Sequence, residues 1–167
     1  MFDTATHLWR TADKATRLQA AEAFWKSEAR PEHAQAEALI AKKLNLRPAT
    51  ARKLPPERKA SYLAQFDNIS EPLCAQVWGA FHLAHRREML SMFLDALAIA
   101  HKDGLFEGEN LVPPTVAALT PAIRKVVETF GADEVRRYLS ILTVQDGVFW
   151  SGLKEAVEGA GSEQQAG

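Results

Sequence analysis

Leu90, Phe93, Leu94 and Leu97 stand at i, i+3, i+4 and i+7, as do Ile123, Val126, Val127 and Phe130, and again Val135, Tyr138, Leu139 and Leu142. At 100° per residue this spacing gathers four apolar side chains on one stripe of a helix. No window of the chain alternates apolar and polar residues strictly with β-branched enrichment, the pattern a half-buried strand requires. An all-α fold follows.

Helix boundaries are legible where capping chemistry is present. Thr120 before Pro121 reads as an N-cap with proline at the first helical position, Gly131 as the stop, and Asp133 with Glu134 as the restart. Helices over 121–130 and 133–144 are therefore expected to form an αα-hairpin. Ser70 before Glu71 and Pro72 begins a helix to about Ala84 or His85, and the apolar run after Glu88 continues as one to about Ile99. Weaker helices are predicted from Asp13 to Glu28, from Pro31 to Leu44 and from Pro56 to Phe66. The total is seven to eight helices, arranged as an irregular bundle or a short array of antiparallel helix pairs. Asp103-Gly104-Leu105-Phe106 and Asp146-Gly147-Val148-Phe149 each follow an apolar helix. That likeness leaves both arrangements open.

Composition fixes the class of molecule. With 47% hydrophobic and 25% charged residues over 167 positions, the chain can bury a core without disulfides or metal. Residues 1–158 are predicted as a single helical domain and 159–167, rich in small and polar residues, as a flexible tail. Cys74 is the sole cysteine, so no intramolecular disulfide forms and a reducing compartment is expected. The start MFDTATHLW lacks the basic and apolar regions of a signal peptide, and Met89 to Ala100 is too short to span a bilayer. These readings predict a soluble cytoplasmic protein with no membrane partner. No GxxxxGK[ST], GxGxxG, HExxH, GxSxG or CxxC spacing occurs, so no nucleotide cradle, zincin helix or nucleophile elbow is expected and no cofactor is implied.

Charge is unevenly distributed. Between positions 42 and 59 lie seven basic residues, Lys42, Lys43, Arg47, Arg52, Lys53, Arg58 and Lys59, against the single acid Glu57, a net of +6. The other 149 residues carry 13 basic and 20 acidic residues, a net of −7. The basic window lies on a proline-broken linker between two helices, where long side chains can reach phosphates or an acidic partner. The competing reading is a solvated basic surface balanced by the acidic remainder, with Lys42 and Lys43 favoured at a helix C-terminus.

His82 and His85, three apart on one helix, are the candidate metal ligands, although a metal site needs three or four donors. On the helical wheel His85 falls within the apolar face with Trp78 and Phe81, and His82 at its polar edge. Bonding of a half-buried histidine to a carbonyl or carboxylate is the competing reading. His101 with Asp103 lies beyond the next helix. Arg86-Arg87-Glu88 is a candidate anion site at a helix start. Trp9, Trp25, Trp78 and Trp150 are spread one per helix, as core anchors are, and Cys74 is expected to be a buried inert thiol.

The leading functional expectation is a non-enzymatic helical module that binds a protein partner, or a second copy of itself, through an apolar or basic face. Nucleic-acid or polyanion binding through 42–59 is the alternative, and metal binding through His82 and His85 the second.

Overall fold

The computed structural model describes residues 2–109 and 111–165, with side chains described as far as residue 161. Among the described residues there are ten helices and one two-stranded ladder, so the fold is all-α. No helix among them is long and apolar enough to cross a membrane. The chain divides into two compact units, Thr4–Ala84 and a second formed by Met1–Asp3 with His85–Gly167. The sequence predicts one domain over 1–158.

The 4–84 unit holds α1 (Ala5–Thr11), α2 (Lys14–Lys26), α3 (Arg30–Lys43), α4 (Pro48–Arg52), α5 (Pro56–Gln65) and α6 (Glu71–His85) as far as Ala84. Thr4 and Asp13 cap α1 and α2 by accepting from His7 N and Thr16 N, and Ser70 Oγ accepts from Leu73 N at the start of α6. A seven-residue helix such as α1 does not hold in water alone. The Glu71 carboxylate accepts the amide protons of Ala5 and Thr6, filling the donor positions at its N-terminus. At its other end the buried Arg17 guanidinium donates to Trp9 O at 2.8 Å and Arg10 O at 3.1 Å, pairs with Asp67 at 2.9 Å, and lies 5.4 Å from the Trp9 ring centre. Trp9 and Trp78 are fully buried and meet edge to face at 6.0 Å, their indole N–H groups donating to Phe66 O and Ala5 O. Trp9, Trp78 and Trp150 are core anchors as expected and Trp25 is half-buried, but Trp150 lies in the turn before residue 153 rather than on a helix, and Trp9 and Trp78 share one core.

In the second unit, α7 (Arg87–Ala96) leads through β1 (His101–Lys102) and β2 (Leu105–Phe106) to α8 (Val116–Phe130), α9 (Ala132–Gln145) and α10 (Leu153–Gln165). Phe93, Leu119, Ile123, Leu139 and Trp150 form its buried interior, with Phe93 edge to face on Tyr138 at 5.8 Å. Gly131, at φ +91°, alone separates α8 from α9, which confirms the predicted hairpin.

Several expectations need correction. Among the described residues the helices number ten rather than seven to eight: α1 and α4 are too short for periodicity to register, while α10 carries Leu153, Ala156, Val157 and Ala160 at i, i+3, i+4 and i+7 in a segment whose glycines and polar residues suggest a tail. Residues 159–165 of the predicted tail are the second half of α10, and 166–167 lie outside the described residues. The helix assigned to start at Pro121 starts at Val116, with Thr115 accepting from Ala118 N and Pro121 inside it. The earlier start lets Leu119 bury completely. His101 pairs with Phe106 and Lys102 with Leu105 around Asp103 (φ +52°) and Gly104 (φ +91°), the two-residue turn that matches strand twist.

Candidate functional site

The two Asp-Gly turns supply the first candidate surface. Asp103-Gly104 reverses the β1–β2 hairpin and is braced from beneath by His101. The His101 Nδ1 accepts from Gly104 N at 3.1 Å, which places the ring proton on Nε2, and Nε2 donates to Asp95 at 2.7 Å. Asp146-Gly147 does different work. Asp146 ends α9 and accepts from Phe149 N at 3.0 Å, coiling 147–152 into the turn that starts α10. One dipeptide thus serves two conformations, so the sequence likeness is not a structural repeat.

The segment that follows the first turn and the second turn itself border one open hollow of about 470 Å³, lined by Phe106, Gly108, Leu111, Gln145, Asp146, Phe149 and Trp150. Its floor is aromatic, with the Trp150 ring 5.9 Å from Phe106, 4.9 Å from Phe149 and 5.9 Å from Phe93. Five large hydrophobic residues are exposed among those described, and four of them, Leu105, Phe106, Val112 and Val148, lie on these two segments. Their flanks carry Asp103, Glu107, Glu109 and Asp146 against Lys102 alone. In the sequence the two segments show only their likeness to each other, and two-residue strands leave no alternation to read.

A second hollow of the same unit, about 240 Å³, runs between α8, α9 and α10, with Phe2, Val127 and Val135 among its apolar walls and Arg124 and Arg136 at its edge. Arg136 also pairs with Asp3 at 3.5 Å. Val157, Ala160 and Gly161 of α10 also line it.

The basic window of the 4–84 unit is not a plain linker. Lys42 and Lys43 end α3, Arg47 caps α4, Arg52 and Lys53 end it, and Arg58 and Lys59 lie in the first turn of α5. Asn45, at φ +53°, closes α3, with Leu46 N donating to Ala41 O at 2.8 Å and Asn45 N to Lys42 O at 3.4 Å. Ile40, Ala41 and Ala51 then pack with Trp25, Leu44, Leu54, Tyr62 and Phe66 beneath the segment. Six of the seven cations are exposed. Lys59 is the exception and leaves the candidate surface. It is buried, its Nζ 2.9 Å from Glu37 Oε1 and 5.2 Å from the Trp25 ring centre.

The histidine assignment reverses. His82 is 1% exposed, stacked on Trp78 at 6.4 Å and edge to face with Phe81 at 5.6 Å, while His85 is exposed. A helical wheel has no axial coordinate, and His85 is the last residue of α6, past the layer that Trp78 and Phe81 fill. Among the described residues no three His, Cys, Asp or Glu side chains converge as a metal site needs, so the geometry does not join His82 and His85 to further ligands.

Arg86 and Arg87 do not form an anion site together. Arg86 grips the half-buried Glu134 in a two-pronged pair at 2.9 and 3.3 Å, Arg137 adds a bond at 2.6 Å, and Arg87 is exposed. Burial pushes the Glu134 pKa up, but the Arg86 hydrogen bond and the charges of Arg137 and Arg86 outweigh it and hold the carboxyl below the usual carboxylate range. Burial, with the Glu71 charge adding to it, pushes the Cys74 thiol up to about 12, so it is protonated and unreactive at neutral pH. Comparison with protein-family models, curated proteins and solved structures finds no match for the chain.

Proposed function

We propose that the chain is a helical protein-interaction module whose 85–167 unit seats a large apolar side chain from a basic partner segment in the hollow beside the two Asp-Gly turns. The observation that carries this reading is the hollow itself, in which Phe106, exposed by 39%, and Leu111 and Phe149 stand over a floor built on the 2% exposed Trp150, with Leu105, Val112 and Val148 also exposed nearby in sequence. Apolar surface left in water beside a preformed aromatic hollow is the form a binding anchor takes. The acids Asp103, Glu107, Glu109 and Asp146 on the same segments favour a partner carrying Lys or Arg beside that anchor.

The test uses labelled twelve-residue peptides with a central Trp, Leu or Ala between Lys/Arg or Glu/Ser flanks, titrated with the full chain and followed by anisotropy. The basic peptides are expected to bind in the order Trp, Leu, Ala. The Phe106→Ser/Leu111→Ser double variant, which strips two lining side chains, should weaken the Trp peptide at least about tenfold, or about 1.4 kcal/mol, with an unchanged circular dichroism spectrum. Unchanged affinity in that variant, equal binding of the acidic peptides, or no binding by any peptide overturns the reading.

A further inference from the structure

We infer that α3, the α3–α4 turn, α4 and the start of α5 present a docking face for the phosphate backbone of duplex nucleic acid. This surface is on the 4–84 unit and does not depend on the aromatic hollow.

The first support is the state of the cations. Lys42, Lys43, Arg47, Arg52, Lys53 and Arg58 are all exposed, and none makes an ion pair or side-chain hydrogen bond among the described residues. The neighbouring acid that could neutralise them, Glu37, is instead turned to the buried Lys59. Only Glu57 remains within the window.

The second support is where the cations stand on their helices. Lys42, Lys43 and Arg52 sit in last turns, where the helix dipole welcomes positive charge, so their presence has a local cause. Arg47 and Arg58 have none. Arg47 is the N-cap residue of α4 and Arg58 lies in the first turn of α5, positions where the dipole opposes a cation. Charge kept against the local field and without an acid of its own chain answers to negative charge outside the chain.

The face also discriminates between kinds of polyanion. No large hydrophobic residue in 42–59 is exposed, and a protein interface needs an apolar centre that this surface lacks. Phosphate contacts need only cations. Trp25, Tyr62 and Phe66, the aromatics nearest the window, pack around Ile40, Ala41 and Ala51. With no ring offered for stacking, the face suits the paired backbone of a duplex rather than the bases of a single strand. Recognition is then independent of base sequence.

The experiment titrates the full chain into a fluorescein-labelled 20-base-pair DNA duplex of arbitrary sequence, by anisotropy, from 25 to 200 mM NaCl. The logarithm of affinity should fall linearly with the logarithm of salt, with a slope no steeper than about −5 for six phosphate contacts. Arg47→Glu/Arg52→Glu/Arg58→Glu should weaken binding at least about tenfold at 50 mM salt and make the slope shallower by about 3. Because a triple reversal could affect folding, Lys42→Gln/Lys43→Gln is measured beside it and should make the slope shallower by about 2. The Phe106→Ser/Leu111→Ser variant should bind the duplex as the parent chain does, which separates this face from the hollow. No binding at 25 mM salt, a slope of zero, unchanged affinity in both charge variants, tighter binding of the matching single strand, or equal retention on phosphatidylserine vesicles would each overturn the assignment.

Discussion

The 4–84 unit carries 12 basic and 8 acidic residues, a net of +4, whereas the unit of residues 1–3 and 85–167 carries 8 and 13, a net of −5. Their surfaces differ as much as their charges. In the first unit Leu18, at 37%, is the one large hydrophobic residue exposed among those described, yet six cations of the 42–59 window stand without an acid. In the second, Arg86, Arg137 and Arg136 are taken up by Glu134 and Asp3, and four large hydrophobic residues face water. One unit covers its apolar groups and leaves cations in water; the other leaves apolar groups in water beside an excess of acids. The two proposed surfaces accordingly call for chemically different partners, a basic segment with an apolar anchor in one case and a polyanion in the other.

The largest expected effect tests whether the units have separate cores. Trp78→Ala removes a fully buried ring and its bond to Ala5 O, and should destabilise the 4–84 unit by about 3–5 kcal/mol. Hydrogen exchange should show lost protection in α2 and α5 with α8 and α9 unchanged. Equal losses in all four helices would dissolve the comparison.

A smaller effect concerns the ion pairing of the second unit. Glu134→Gln leaves Arg86 and Arg137 facing a neutral amide and should cost about 1–3 kcal/mol at pH 7, read by urea unfolding. The folded-state pKa of Glu134 is depressed, so its contribution is present above the unfolded carboxylate value and fades as pH falls through the folded one. The gap between parent and variant should therefore close below about pH 4. A gap that stays constant from pH 7 to pH 3 would show that the charge of Glu134 has no part in it.

The smallest effect contrasts two backbone positions of the same unit. Ala98 holds φ +55° just past the end of α7, with Ile99 N donating to Leu94 O at 3.0 Å, the closing bond of a helix end that favours glycine. Ala98→Gly should stabilise by about 0.5–1 kcal/mol, since Ala98 is exposed and little packing is lost. Gly104→Ala should destabilise by about 1–3 kcal/mol, because the new Cβ falls 2.8 Å from Leu90 Cβ at φ +91°. Thermal melts of the two variants should shift in opposite directions.

What the sequence made legible divides along physical lines. α6, α8 and α9 are readable because their stabilising contacts repeat every turn along their own length. α1 and α4 are not, because the groups that hold them are remote: Glu71 for the first turn of α1, and Ile40 with the rings around it for Ala51. The basic window was visible as a count, and six of its seven members are exposed. Lys59 was not separable, since Glu37 and Trp25 claim it only after α3 and α5 meet. The hollow was least legible. Its walls are two segments, 106–111 and 145–150, whose side chains converge only by tertiary packing. His82 and His85 were misplaced because an angular pattern says nothing of where along a helix its neighbours stop.

Asp3 donates its N–H to Ser140 Oγ at 3.3 Å, and its carboxylate meets Arg136, so a tripeptide at one end of the chain is claimed by α9. A ribosome synthesises Asp3 some 137 residues before its acceptor exists. The 4–84 unit has all its own residues by the time Ala84 emerges, and can fold while the preceding tripeptide waits for its site. Closure of that 137-residue loop is an entropic step late in assembly. It also sets where the chain can be cut, for a fragment beginning at His85 would lack the Asp3 contacts and the Phe2 ring that walls the α8–α10 groove.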